Sequence, residues 1–265
     1  MVATLIDGKA IAAQYRSQIA QGVAALRAQG HIAALTVILV GDDPASAVYV
    51  RNKIRACQET GIRSELIQLP ANTTEADLLA RIQALNLDDA VDGILVQFPL
   101  PKHLSEKKVL ETISLEKDVD GFHPMNAGRL QQNKPCYIAA TPKGIMQLIE
   151  KYKIETQGKH CVVVGRSNIV GMPMSILLSR NSKPGNCTVT ICHSKTVDLA
   201  SYTKRADILI AAIGSPELIT AAMVKEGAVV IDVGITRVAD KATKSGYKLK
   251  GDIKYDEVAA KCSFI

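Results

Sequence analysis

Tyr49 and Lys53 stand four residues apart in the stretch Ser46–Gly61, SAVYVRNKIRACQETG. Side chains at that spacing lie one above the other on a helix. At about 100° per residue, Ala47, Val50, Ile54 and Cys57 make an apolar stripe, and Arg51, Arg55 and Glu59 face water. Ser46, Tyr49 and Lys53 then run along one edge of that stripe. Such an edge suits a helix lining a cleft, where a ring gives a wall and a partly desolvated amine can take up and release a proton. Gln97 and Pro99 close the run GILVQFP, and Asp120 lies in KDVDGFHP, Lys117–Pro124. These positions fall at the ends of elements, where open α/β sheets bind ligands. Each also has an ordinary reading: a helix lysine is usually solvated with its stem along apolar surface, and Asp-Val-Asp-Gly alone is a turn sequence.

The second half carries a different chemistry. In VVVGRSNIVGMPMSILL an apolar run enters Gly165, a turn holds Arg166, Ser167 and Gly171, and a helix is expected to open near Pro173. Glycine lets backbone approach a pyrophosphate, and a helix N-terminus offers free N–H groups and a positive dipole end. The spacing departs from Gly-x-Gly-x-x-Gly, with Ser167 where the second glycine is expected, so a strand–turn–helix with glycines for packing alone is the competing reading. The next apolar run, CTVTIC, ends in His193, Ser194 and Lys195, with no carboxylate to hold a ribose diol or repel a 2′-phosphate. Arg166 can fork a phosphate. NADP is therefore expected in preference to NAD.

These groups need elements to hold them. LTVILVG, IRSELIQL and VDGILVQFPLP read as strands, separated by the helix of the opening stretch and by a helix in NTTEADLLARIQALN, and followed by one in SEKKVLETIS. The long segment GKAIAAQYRSQIAQGVAALRAQ reads as a first helix. TPKGIMQLIEKY begins a second set, with Thr141 as cap and Pro142 in the first turn. The strands HCVVVG, CTVTIC, ADILIAAIG and AVVIDVG follow. Alternating strands and helices indicate α/β architecture with parallel sheets. A boundary near Ala140 gives a catalytic domain over 1–140 and a Rossmann-like domain over 141–265.

Composition bounds the partners. The 265 residues are 47% hydrophobic and 22% charged, as in a folded domain pair. The net charge of +6, from 32 basic and 26 acidic residues, is spread along the chain, and 4% aromatics leaves little surface for stacking bases, so no nucleic acid is expected. No apolar run approaches the ~20 residues that span a bilayer, and no signal peptide is read at the N-terminus. Cys57, Cys136, Cys161, Cys187, Cys192 and Cys262 form no Cys-x-x-Cys pair, and the histidines form no His-Glu-x-x-His. Reduced, buried thiols, no metal and a cytoplasmic location are the expectation.

Taken together, YVRNK, GILVQFPLP, KDVDGFHPMNAGRL, TPKGIMQLI, VVVGRSNIVGMPM, CHSKT and VIDVGI resemble the bifunctional methylenetetrahydrofolate dehydrogenase/cyclohydrolase (FolD) family, in order, from about Leu5 to Ile265. The resemblance implies two α/β domains flanking a cleft, a homodimer without metal, and two reactions of one-carbon metabolism. In the first, NADP takes a hydride from 5,10-methylenetetrahydrofolate to give the 5,10-methenyl cation. In the second, that cation is hydrolysed to 10-formyltetrahydrofolate. It further implies that Lys53 is the catalytic lysine, that Gln97 hydrogen-bonds it, that Tyr49 flanks the folate and that Asp120 binds the pterin. Val96, Phe98 and Pro99 complete the implied folate contacts. The implied NADP contacts are Gly165, Arg166, Ser167, Ile169, His193, Ser194, Gly214 and Ile235. Family chains run on past the equivalent of Ser263–Ile265 into a Pro/Gly-rich loop that contributes to the folate site and a final helix; this sequence stops at Ile265. A dehydrogenase of the same scaffold without hydrolysis, and an idle NADP-binding protein, are the alternatives. The joint presence of Tyr49, Lys53, Gln97 and Asp120 argues against both.

Overall fold

Apolar runs become strands, and amphipathic segments between them become helices, in the computed structural model, which describes residues 3–243 and 246–265. The chain divides into two units, residues 8–138 and residues 139–265, the second joined by the segment up to Asp7.

In residues 8–138 the order is α1 (Gly8–Ala28), β1 (Ala34–Val40), α2 (Pro44–Thr60), β2 (Arg63–Leu69), α3 (Glu75–Asn86), β3 (Gly93–Val96), α4 (Glu106–Thr112) and α5 (Pro124–Gln131). The strands form a parallel sheet in the order β2-β1-β3. One face of the sheet packs Ile38, Val40, Ile94 and Val96 on Leu78, Ile82 and Val109. The other packs Val37, Leu39 and Leu95 on Val50 of α2. Burying each such side chain stabilises by roughly 1.5–3 kcal/mol. Local chemistry sets the helix ends. The Asp43 carboxylate accepts from Ser46 N at 2.7 Å with Pro44 in the first turn, and Gly61, at φ +80°, stops α2 in the left-handed conformation. Thr74 Oγ1 accepts from Asp77 N at 3.1 Å, and Glu75 and Asp77 occupy the first turn of α3.

In residues 139–265 the order is α6 (Ala140–Lys151), β4 (His160–Val164), α7 (Gly171–Ser179), β5 (Thr188–Cys192), α8 (Leu199–Thr203), β6 (Ile208–Ala211), β7 (Val229–Asp232), β8 (Thr236–Ala239), β9 (Tyr247–Lys250) and α9 (Tyr255–Val258). The parallel sheet has the order β5-β4-β6-β7, the central part of a dinucleotide-binding order with its reversal between β4 and β6. β8 and β9 pair as a separate antiparallel ribbon. Beyond β7 two short segments continue the pairing: Val230 N donates to Phe264 O at 2.9 Å, and Thr4 N donates to Ser263 O at 2.8 Å. Asp7 N also donates to the Tyr152 hydroxyl at 2.7 Å. The expectation of a first domain from residue 1 therefore needs amending, because backbone hydrogen bonds tie the N-terminal segment to the second unit.

Local differences have local causes. α6 is capped at Ala139 rather than Thr141, with no side-chain bond to its first turn. α7 begins at Gly171 rather than near Pro173, because Ser167 Oγ accepts from Val170 N at 3.1 Å and Gly171 N at 3.4 Å. α5 was not anticipated: its cap is the ring of His123, whose Nδ1 accepts from Met125 N at 3.0 Å, outside the usual Ser/Thr/Asp/Asn set. Among the described residues, no helix is long and apolar enough to cross a membrane.

Candidate active site and cofactor site

In the first unit the strand order reverses between β1 and β3, the place where open parallel sheets take ligands at their carboxyl ends. Gln97 follows β3 there, and its N–H extends the ladder to Ile38 O at 2.9 Å. The Gln97 side chain is held at both ends: Nε2 donates to Phe98 O at 2.6 Å, and Oε1 accepts from Lys53 Nζ at 3.3 Å. The first contact fixes which end of the amide faces the lysine. Lys53 comes from α2, the crossover helix after β1, and is half-buried. One turn earlier Tyr49 is 51% exposed, whereas Ser46 of the same strip is 2% exposed. The strip therefore enters the core at Ser46 and leaves it through Tyr49 and Lys53.

The two acids of Asp-Val-Asp-Gly divide the work. Asp118 is buried and pairs alongside Ile94 of β3. Its carboxylate accepts from Phe122 N at 3.2 Å, His123 N at 2.9 Å and Asn126 Nδ2 at 2.7 Å. It shapes the loop and is saturated by doing so. Asp120 is partly buried. Burial pushes its carboxyl above the usual range, the Lys53 charge pulls it down, and Asp118 raises it again. Lys53, Gln97 and Asp120 are thus brought together. Val96 spends its side chain in the core, Phe98 packs partly against the same cluster, and Pro99 is exposed.

In the second unit Gly165, Ser194, Gly214 and Ile235 follow the carboxyl ends of β4, β5, β6 and β7, so they share one edge of the sheet. The order reverses between β4 and β6. Gly165 has φ +128°, and a Cβ there would lie 2.2 Å from Ala212 O. A Cβ on Gly171 would lie 2.1 Å from Gly165 O. The turn is therefore bare backbone pressed against backbone, opening into α7, which fits a pyrophosphate. Arg166 and Ile169 are exposed on it. The turn after β5 is built by His193: its N–H donates to Thr196 Oγ1 at 2.8 Å, its carbonyl accepts from Thr196 N at 2.8 Å, and its Nδ1 accepts from Lys195 N at 3.1 Å. Ser194 and Lys195 stand exposed at the tip, with no carboxylate among His193–Thr196. That donor set fits the 2′-phosphate of NADP.

The sequence reading passed over Asp118 and Asn126 and, in the second unit, Asp232 and Asp252. Asp232 and Asp252 have backbone partners far along the chain, whereas Asp118 and Asn126 bond within their own loop and the segment after it. Cys57, Cys161, Cys187, Cys192 and Cys262 are buried, and burial pushes the Cys187 thiol up to about 11, which leaves it protonated and unreactive at neutral pH.

Comparison with known proteins agrees with this division. Residues 6–120 match the family model for the tetrahydrofolate dehydrogenase/cyclohydrolase catalytic domain, and residues 139–265 match the model for its NAD(P)-binding domain. A bifunctional protein FolD from Bacteroides fragilis is 56% identical over 266 residues, covering 99% of this chain and 90% of that protein. The crystal structure of the bifunctional FolD enzyme from Campylobacter jejuni superposes with a TM-score of 0.94 at 45% identity, over 99% of this chain and 90% of that one. The Trypanosoma brucei dehydrogenase-cyclohydrolase, complexed with NADP cofactor and inhibitor, gives a TM-score of 0.93 at 35% identity, over 100% and 90%. With both units matched and this identity sustained along its length, the chain belongs to the tetrahydrofolate dehydrogenase/cyclohydrolase family.

Proposed function

We propose that this chain oxidises 5,10-methylenetetrahydrofolate to the 5,10-methenyl cation with NADP and hydrolyses that cation to 10-formyltetrahydrofolate. The observation that carries the reading is the meeting of Lys53 with Gln97 at 3.3 Å beside Asp120. When bound, NADP supplies the acceptor for the hydride of the first step. The chain's own residues then have simple duties there: Tyr49 gives a flat wall for the pterin, Asp120 pairs with its amino-pyrimidine edge, and neither needs to move a proton.

Hydrolysis asks more. Water adds to the methenyl carbon and loses one proton, one C–N bond then opens as a proton reaches the departing nitrogen, and the remaining hydroxyl proton leaves as the formyl C=O forms, so that one proton is released overall. Lys53 is the group that takes and returns the proton, and a cationic substrate beside it favours the neutral amine that such a role requires. Gln97 Oε1 holds Nζ in place because Gln97 Nε2 is committed to Phe98 O. On the second unit, Gly165, Ser167 and Ile169 form the turn under the pyrophosphate, Arg166, His193 and Ser194 take the 2′-phosphate end, and Gly214 and Ile235 border the remainder.

We place the protein in the cytoplasm as a homodimer that binds neither nucleic acid nor membrane. Buried unpaired thiols suit a reducing compartment, the charge excess has no concentrated basic patch in sequence, and the family resemblance implies the dimer. Light scattering on the purified chain tests the last point, and a monomer across the micromolar range overturns it. The function is tested by measuring NADPH formation and methenyl hydrolysis separately. Turnover in both supports the proposal. NADPH formation alone identifies a dehydrogenase without hydrolysis, and NADP binding without either turnover identifies an idle binder.

A further inference from the structure

Asp232 and Asp252, neither used above, interlock at the carboxyl ends of β6 and β7. Asp252 is fully buried. Its Oδ2 accepts from Ile213 N at 2.6 Å and Gly214 N at 3.1 Å, and its Oδ1 accepts from Ser215 N at 2.8 Å. Three successive backbone N–H groups of the loop after β6 therefore converge on one carboxylate. Asp232, the last residue of β7, performs the reciprocal task. Its Oδ1 accepts from Gly234 N and Asp252 N, both at 3.0 Å, and its Oδ2 accepts from Ile253 N at 3.1 Å. The backbone that carries Asp252 is thus itself held by Asp232.

Two glycines make the fit possible. A Cβ on Gly234 would come within 2.3 Å of the Asp252 carboxylate, and a Cβ on Gly251 would come 1.8 Å from Asp232 Oδ2. Each aspartate lies against the bare backbone of the segment that carries, or adjoins, the other. A carboxylate that gathers several N–H groups makes charge-assisted bonds, stronger than neutral ones. No such bond is needed to build the sheet, because β6 and β7 already pair along their length. What the bonds fix is the course of the chain after the strands: residues 213–215 on one side and 233–235 on the other. Ala212, next to the first of these, is the residue whose carbonyl lies against Gly165.

We infer that Asp252, braced by Asp232, is the positioning residue that sets the Ile213–Ser215 loop, and with it the turn at Gly234–Ile235, for productive binding of the dinucleotide. The inference rests on the NADP reading given above, which places Gly214 and Ile235 beside the cofactor. A loop whose amides are preset loses less freedom on binding, and a displacement of about 1 Å at a positioning group can cost up to ~100-fold.

The test is Asp252→Asn in the full chain. Replacing one carboxylate oxygen by an amide NH2 turns an acceptor toward a backbone N–H into a donor, at nearly constant volume. Three measurements are needed: amide hydrogen exchange at 213–215, the dissociation constant for NADP, and methenyl hydrolysis without NADP. The expected result is faster exchange at those amides, NADP affinity lower by about ten-fold, and hydrolysis within about two-fold of the parent, since Lys53, Gln97 and Asp120 all belong to the other unit. Faster exchange with unchanged NADP affinity overturns the inference. So does a parallel fall in hydrolysis and NADP affinity, which marks a general loss of structure. Should Asp252→Asn fail to fold, Asp232→Asn reads the same relay one step back, with an expected loss of about three-fold in NADP affinity and the same overturning results. Arg166→Gln serves as the control: if it weakens NADP binding while Asp252→Asn does not, the cofactor reading stands and the clasp alone is refuted. If neither variant changes NADP binding, both fall.

Discussion

At the end of β3 the groups that meet are side chains: an amine from α2, an amide after β3 and a carboxylate from the loop that Asp118 ties down. At the ends of β4 to β7 bare glycine backbone does the meeting, against other backbone at Gly165 and Gly171 and against the aspartate carboxylates at Gly234 and Gly251. The two halves of the molecule thus make room for ligands by opposite means. Removing a side chain in the first unit should take away chemistry and leave the fold. Adding a methyl in the second should take away fold and binding together. The first kind of site can change its chemistry one residue at a time. On the proposed reading, the second holds a constant feature of its ligand, the pyrophosphate, and leaves discrimination to a few exposed side chains such as Arg166 and Ser194.

The largest effect expected from this contrast is Lys53→Met: hydrolysis of the methenyl compound should fall by about 10³-fold with an unchanged melting temperature. A fall of less than ten-fold, or a matching loss of stability, would break the distinction on its first side. Gly165→Ala should come next, at a cost of about 3 kcal/mol in unfolding free energy, because its Cβ would press on Ala212 O and φ +128° is strained for alanine. Thermal melts and NADP titration should fall together; lost affinity at parent stability would show that the turn is a binding device only.

Asp120→Asn sharpens the contrast by separating function from fold in opposite directions. Folate KM should rise by about ten-fold. The native carboxyl is raised by burial, so its contribution to stability is complete below the unfolded value of about 3.9 and is lost as pH rises through the raised native value. At pH 7 the variant should therefore melt a few degrees higher than the parent, on the order of 3 °C, and the gain should vanish below about pH 4. A variant less stable at pH 7 would mean that the Lys53 attraction outweighs burial. Arg166→Gln combined with Ser194→Asp should lower the NADP-to-NAD preference by about ten-fold, with hydrolysis untouched; an unchanged ratio would remove both residues from the 2′-phosphate. Smallest is Thr74→Ala, which should cost about 1 kcal/mol by deleting the cap of α3 and alter neither activity.

How much of this was legible in the sequence follows from where each residue's partners lie. β1, β4 and α2 are read from their own residues, since an apolar run or a 3.6 period needs no distant information. Gly165 and the edge position of Lys53 are read the same way. Asp232 and Asp252 were not legible because they accept from backbone N–H groups up to 39 residues away, and Asp118 was not because its partners lie in its own loop and in α5, so that Asp-Val-Asp-Gly looks like a plain turn. The β8–β9 ribbon was missed because its strands, TRVA and YKLK, are largely exposed and carry no apolar run. The helix α5 was missed because a histidine ring caps it.

The pairing of residues 4–6 with residues 263–265 has a consequence for how the protein comes to be made. A ribosome releases residues 4–6 before residues 8–138 and residues 263–265 after them. Residues 8–138 can complete their sheet while synthesis continues, since all three strands lie within them. The pairing beyond β7 has to wait for residues 263–265 to emerge. The sheet that leads into Gln97 can thus be assembled before the pairing beyond β7, which joins two backbone segments made far apart in time.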